Sequence, residues 1–188
     1  MRRSFGSLSI VLIVASLFVV PSVASATPSS APALPTPSAP RANGRYVFTD
    51  STDLRSALNA AVGASPQSQV CVVGASTPQQ FGGSGVGSTI FGQLTLLCNF
   101  GATNVEFFVE IDYSPTGSGN TWTYQDGTYR QEYGSPRNPP PNSYSFGNTT
   151  WKCIGDNSWY YRSDGVVYTD QLGYSPQAVS HTPLHAYC

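Results

Sequence analysis

One segment of the chain gathers carboxylates at a spacing that chemistry can use. Val105 to Tyr113 alternates as a β-strand does, with successive side chains on opposite faces. Phe107, Val109 and Ile111 take one face, while Glu106, Phe108, Glu110 and Asp112 take the other. Side chains at i and i+2 on a strand stand roughly 6.5–7 Å apart. Glu110 and Asp112 therefore fall at separations used by the paired carboxylates of glycoside hydrolysis. The same spacing lets carboxylates gather a hard cation such as calcium. A solvated strand face is the plainer alternative, with the acids opposite Arg130, Lys152 or Arg162 on neighbouring strands. Only 10% of the chain is Asp, Glu, Lys or Arg, so three acids on one face stand out.

The tripeptide Glu110-Ile111-Asp112 resembles the start of the acid–aspartate–acid strand motif of the laminarinase-like, jelly-roll glycoside hydrolases. That family places a second catalytic Glu four positions after Glu110. This chain has Ser114 there, followed by Pro115. The family's jelly roll is also longer than the domain available here, so the activity does not carry over.

Other reactive sets are poorer. His181 and His185 have the spacing of a helical metal pair, but Pro183 between them breaks the helix. No metal site or cofactor is expected. A G-x-S-x-G elbow is missing. Gly82 to Gly87 is glycine-rich without the Lys-Ser/Thr of a phosphate-binding loop, and reads as a mobile surface loop. Lys and Arg do not cluster, which argues against nucleic acid as a partner.

The aromatic residues are the stronger hint. Tyr alone occurs 11 times. Trp122, Tyr124, Trp151, Trp159 and Tyr161 are the candidate ligand-binding side chains, since rigid amphipathic rings suit protein interfaces and sugar faces. Packing of a small β core by the same rings is the alternative.

These residues must be positioned by short elements in an exported chain. Residues 1–26 read as a signal peptide: Arg2 and Arg3, an apolar run from Leu8 to Val20, and Ala24-Ser25-Ala26 as the cleavage site. The apolar run is about 12 residues, short of the roughly 20 that span a bilayer, so no membrane insertion of the mature chain is expected. Residues 27–43 are rich in Pro, Ser and Ala and read as a disordered leader. Residues 44–188 form one domain, stapled by Cys71, Cys98, Cys153 and Cys188. An even cysteine count in an exported chain points to disulfides, and local pairing gives Cys71–Cys98 and Cys153–Cys188. Each closes a loop of about 30 residues, worth ~3–4 kcal/mol.

Ser51 to Val62, capped by Asp50 or Ser51, is the one good helix, with Gly63 as its stop. Beyond it the period is two. Strands are expected at 45–48, 70–73, 89–100, 105–113 and 149–154. Hairpins are expected at Gln125-Asp126-Gly127 and at Ser163-Asp164-Gly165. Pro139 to Pro141 predict a rigid exposed loop, and the tail from Gly173 reads as irregular. The fold class is mainly β: an antiparallel sheet, sandwich or small barrel with one N-terminal helix and two disulfides. Asn148-Thr149-Thr150 is a glycosylation sequon, relevant only in a eukaryotic secretory pathway.

The expected function is a secreted, extracellular, non-enzymatic binding module for a polysaccharide or an extracellular protein. The alternatives are a small secreted hydrolase using Glu110 and Asp112, or a secreted inhibitor or effector.

Overall fold

The computed structural model describes residues 32–39, 44–49, 53–64, 66–125, 128–134 and 143–188. The signal-like segment and the Pro139 to Pro141 loop lie outside these residues. So does the expected cap at Asp50 or Ser51. The cap in the structure is Asp53, whose carboxylate accepts the Ser56 N–H at 3.0 Å and the Ser56 hydroxyl at 2.6 Å. Helix α1 then runs Leu54–Ala64.

The domain is mainly β, with two sheets, one helix and two disulfides. The first sheet holds β1 (Gly44–Thr49), β2 (Gln69–Ala75), β3 (Gln79–Phe81), β4 (Thr89–Cys98) and β8 (Ser143–Lys152). β8 lines one edge of β4, so β2 and β3 share the other. β1 and β2 are parallel neighbours joined through α1, the one parallel pair among the described residues. The second sheet is built on β5 (Val105–Ser114) and β9 (Ser158–Thr169), antiparallel along their length. β6 (Thr123–Tyr124) and β7 (Arg130–Gly134) share the free edge of β5. β10 (Gly173–Tyr174), β11 (Ala178–Val179) and β12 (Leu184–Tyr187) share the free edge of β9.

Alternation explains the layers. Cys71, Val73 and Ala75 of β2 and Leu94, Leu96 and Cys98 of β4 face Val105, Phe107, Val109 and Val167 of the second sheet. Val70, Val72 and Leu97 point the other way and pack under Leu58 and Ala61 of the helix. The Val70 to Val73 run is apolar on both faces because the first sheet is covered on both. A second cluster around Ile90, Ile111, Tyr161 and Cys153 continues the inter-sheet core. Cys71 pairs with Cys98 directly across β2 and β4, and Cys153 pairs with the C-terminal Cys188, with Cα separations of 4.1 and 4.6 Å.

The expected hairpin at Ser163-Asp164-Gly165 is corrected, while Asp126 and Gly127 of the other lie outside the described residues. β9 runs straight through Ser163-Asp164-Gly165. Ser163 bonds inward to the Gln93 N–H, and Asp164 is fully buried, so neither is available for an exposed turn. Gly165 is needed there for space: a Cβ would collide with the Phe108 carbonyl oxygen and Leu94 Cδ1. β6 and β7 do not pair with each other. Both pair with the same edge of β5, and between them the Ile111 carbonyl accepts the Gln125 N–H at 2.9 Å and the Ile111 N–H donates to the Thr128 hydroxyl at 3.0 Å.

Two further expectations change. The tail is not irregular but supplies three short strands to β9. The Gly82 to Gly87 loop is braced, with Gly85 N–H donating to the Tyr187 carbonyl and Gly87 N–H to that of Cys153, both at 2.9 Å. Before the domain, Ser38 exchanges two bonds with the Tyr174 backbone at 3.1 and 2.8 Å.

Candidate functional site

Directly opposed residues on antiparallel neighbours share a face. The register sets Glu110 against Asp164, and Asp112 against Arg162 on one side and Tyr124 on the other. All lie on the outer face of the second sheet, away from the core. Helix α1 covers the first sheet only, and among the described residues no helix or third sheet covers this face.

Three carboxylates converge there. Glu110, Asp112 and Asp164 each present an oxygen within 4.8 Å of the others. They are 6%, 6% and 0% exposed. Arg162 donates to Asp112 Oδ2 from Nε at 2.9 Å and Nη2 at 2.7 Å, and Nη2 lies 3.4 Å from Asp164 Oδ2. Gln177 Nε2 reaches both Asp164 oxygens, at 2.8 and 2.9 Å. Glu110 fares differently: its Oε2 is buried without a hydrogen-bond partner.

The electrostatics follow from burial. Desolvation pushes the Glu110 carboxyl up to about 8, with the charges of Asp112 and Asp164 adding to the rise and Arg162 opposing it. Burial likewise raises Asp164 to about 7, against the stabilising bond from Gln177. Tyr129 is also raised, by burial first and the nearby Glu110 second.

Aromatic rings frame the cluster. Trp122 lies under the Arg162 guanidinium, 4.6 Å from it, in a cation–π contact. The Tyr124 hydroxyl accepts the Tyr129 N–H at 3.2 Å. Phe108 packs against Tyr129 and Tyr174 at 6.4 and 5.7 Å, and Tyr174 against Tyr168 at 4.9 Å. Tyr160 stacks on His185 at 4.5 Å further along the same face.

The five aromatic candidates therefore separate. Trp122 and Tyr124 belong to the outer face and stand half-buried beside the acids. Trp151, Trp159 and Tyr161 do not join them. Their strand positions point between the sheets, where Tyr161 is fully buried and Trp151 and Trp159 pack against the same cluster. Trp159 stacks on Tyr113 at 4.5 Å. Burial pushes the Tyr161 phenol up to about 12. Tyr161 is core and has no face free for a ligand, whereas Trp151 and Trp159 are half-buried against it.

Of the acids, Glu110 and Asp112 come together as their spacing allows, but in a buried cluster rather than on a solvated face. Glu106 stays apart, accepting a bond from Gln131 at 3.2 Å. Of the three basic residues expected opposite the acids, only Arg162 reaches the cluster; Arg130 donates to the Tyr129 carbonyl. Asp164 and Gln177 were not legible as site residues. Ser163-Asp164-Gly165 reads as a turn, and only the period-two run on both sides of it signals a continuous strand. At Ser114, the hydroxyl bonds the Thr121 hydroxyl at 2.5 Å, inside a loop-closing network. His185 Nε2 bonds Ser158 at 2.7 Å.

A separate end of the molecule carries exposed apolar side chains: Phe81, Val86, Ile154 and Tyr187. Their segments are tied together by the braced glycine loop and the Cys153–Cys188 bridge.

No family model, curated protein or solved structure matches the chain. Two disulfides fit an oxidising environment. Among the described residues no helix is long and apolar enough to cross a membrane.

Proposed function

We propose that this is an exported binding module whose ligand face is the outer face of the second sheet, and whose ligand is a polysaccharide. One observation carries the reading. A sheet face that no other layer covers among the described residues carries Trp122, Tyr124, Tyr129, Tyr168 and Tyr174 around a polar centre of carboxylates, guanidinium and amide. Rings offer apolar faces to the C–H sides of sugars, and the part-exposed Arg162 at the rim of the buried cluster offers donors to hydroxyls. Export rests on the sequence before Thr27 and is consistent with both disulfides.

Retention of the disulfide-bonded protein on a panel of insoluble polysaccharides tests it. At least one should retain the protein, and Trp122→Ala should weaken retention by roughly tenfold or more, in the range of interface anchor residues. Equal retention of the variant, or none by any polysaccharide, contradicts the reading.

Two observations favour other readings. Glu110, raised to about 8 beside the salt-bridged Asp112, suits an acid–base pair and supports the hydrolase. Its burial weighs against substrate reach. Released reducing ends in the same panel would favour it. The exposed Phe81, Val86, Ile154 and Tyr187 support a protein partner instead.

A further inference from the structure

We infer that Glu110, Asp112 and Asp164 form a binding site for a divalent hard cation of the calcium class. This goes beyond polysaccharide binding and does not depend on it.

The geometry supplies the first support. Three carboxylates from two adjacent strands bring one oxygen each within 4.8 Å of the others. That convergence suits a single ion held by oxygens at about 2.3–2.6 Å. It is costly for three anions left to themselves.

The second support is independent of the clustering. Glu110 is 6% exposed, and its Oε2 has no donor. A buried carboxylate oxygen without a partner loses its hydration and gains nothing. The available donors are spent elsewhere: Arg162 on Asp112 and Asp164, and Gln177 on Asp164. Glu110 thus brings a buried carboxylate with an unpartnered oxygen to the cluster, which a bound cation would satisfy.

Charge and donor type define the ion. Three carboxylates against one guanidinium leave a formal deficit that one divalent cation cancels. The cluster offers oxygens only. All four cysteines are in disulfides, and His185 is bonded to Ser158. Zinc and copper favour sulfur and imidazole, whereas calcium accepts carboxylates in irregular geometry and magnesium demands a near-octahedral shell.

The test uses the whole disulfide-bonded protein, stripped with EDTA and exchanged into a chelator-free buffer. Calcium chloride is titrated by calorimetry, with sodium chloride at matched ionic strength as control and no polysaccharide present. The expected result is one saturable site per chain and a Tm rise of roughly 5 °C or more at saturation. Magnesium should bind at least tenfold more weakly. Glu110→Gln should weaken calcium binding at least tenfold, yet match or exceed the wild-type Tm in EDTA, since it replaces a buried ionisable carboxyl by a neutral amide of the same shape. That second measurement separates lost binding from lost folding. Glu106→Gln, on the same strand face outside the cluster, should bind as wild-type does. No saturable calcium heat with no Tm shift beyond the salt control overturns the inference, as does undiminished binding by Glu110→Gln. Polysaccharide retention that fails while calcium still binds would sink only the proposed function.

Discussion

Glu110 and Asp164 make stability depend on pH in a defined direction. Both carboxyls hold their protons to higher pH in the folded chain than in the unfolded one, to about 8 and about 7 respectively. Between the ordinary carboxylate range and those values, the native state binds more protons than the unfolded state, so stability falls as pH rises. In EDTA, Tm should be higher at pH 5 than at pH 8.5, and Glu110→Gln should flatten that slope. A Tm that climbs over the same interval contradicts the assignment. At this scale the sequence is half legible. The alternation of Val105 to Tyr113 places Glu110 and Asp112 on one face correctly. Their burial is not visible, because it depends on Trp122, Tyr129 and Tyr174 arriving from other elements. Asp164 is hidden by its neighbours, since Ser-Asp-Gly is ordinary turn chemistry.

Continuity of β9 is what brings Asp164 opposite Glu110. Here tertiary packing overrides local turn preference, and Gly165 is the residue that allows it. Its lack of a side chain lets β5 and β9 approach where any Cβ would meet the Phe108 carbonyl. Gly165→Ala should therefore destabilise by about 1–3 kcal/mol, the range for forced overpacking, read as a lower urea midpoint with an unchanged slope. A neutral effect would mean that the strands are not so closely set. On the other side of β5, Thr128 satisfies the Ile111 N–H, next to Tyr129 beside the acids. The Tyr161 to Tyr168 segment thus looks like a hairpin in sequence and acts as one strand, because it lies against β5. The parallel pairing of β1 and β2 is likewise invisible to periodicity. A strand, a helix and a strand imply a crossover only once both strands are known to join one sheet.

The described residues are stacked as helix, first sheet and second sheet, and none of them adds a further layer on the second sheet's far side. The two disulfides brace different parts of this stack. Cys71–Cys98 lies within the first sheet, beside the inter-sheet core. Cys153–Cys188 fixes the end of β12 and, through Tyr187, the glycine loop. Replacing Cys153 and Cys188 together by Ser should cost ~3–4 kcal/mol. It should also speed backbone hydrogen exchange at residues 82–87 and 184–187 while leaving β5 protected. Uniform loss of protection would contradict this division. Cysteine spacing made the pairing legible, and the fold class follows from period and length. Which face of each aromatic strand is core was not legible. Trp159 and Tyr161 alternate with Tyr160, and both sets are aromatic, so only the partner sheet decides.

The central claim is that the outer face of the second sheet is the ligand face, with Trp122 on it and the other two tryptophans packed half-buried against the inter-sheet cluster. The chain has three Trp residues. Protein labelled with 5-fluorotryptophan therefore gives three fluorine signals, assignable by single Trp→Phe variants. Titrated with soluble fragments of a retaining polysaccharide, the Trp122 signal should shift and saturate while those of Trp151 and Trp159 stay in place. Movement of Trp151 or Trp159 with Trp122 unmoved would place the ligand elsewhere and contradict the account.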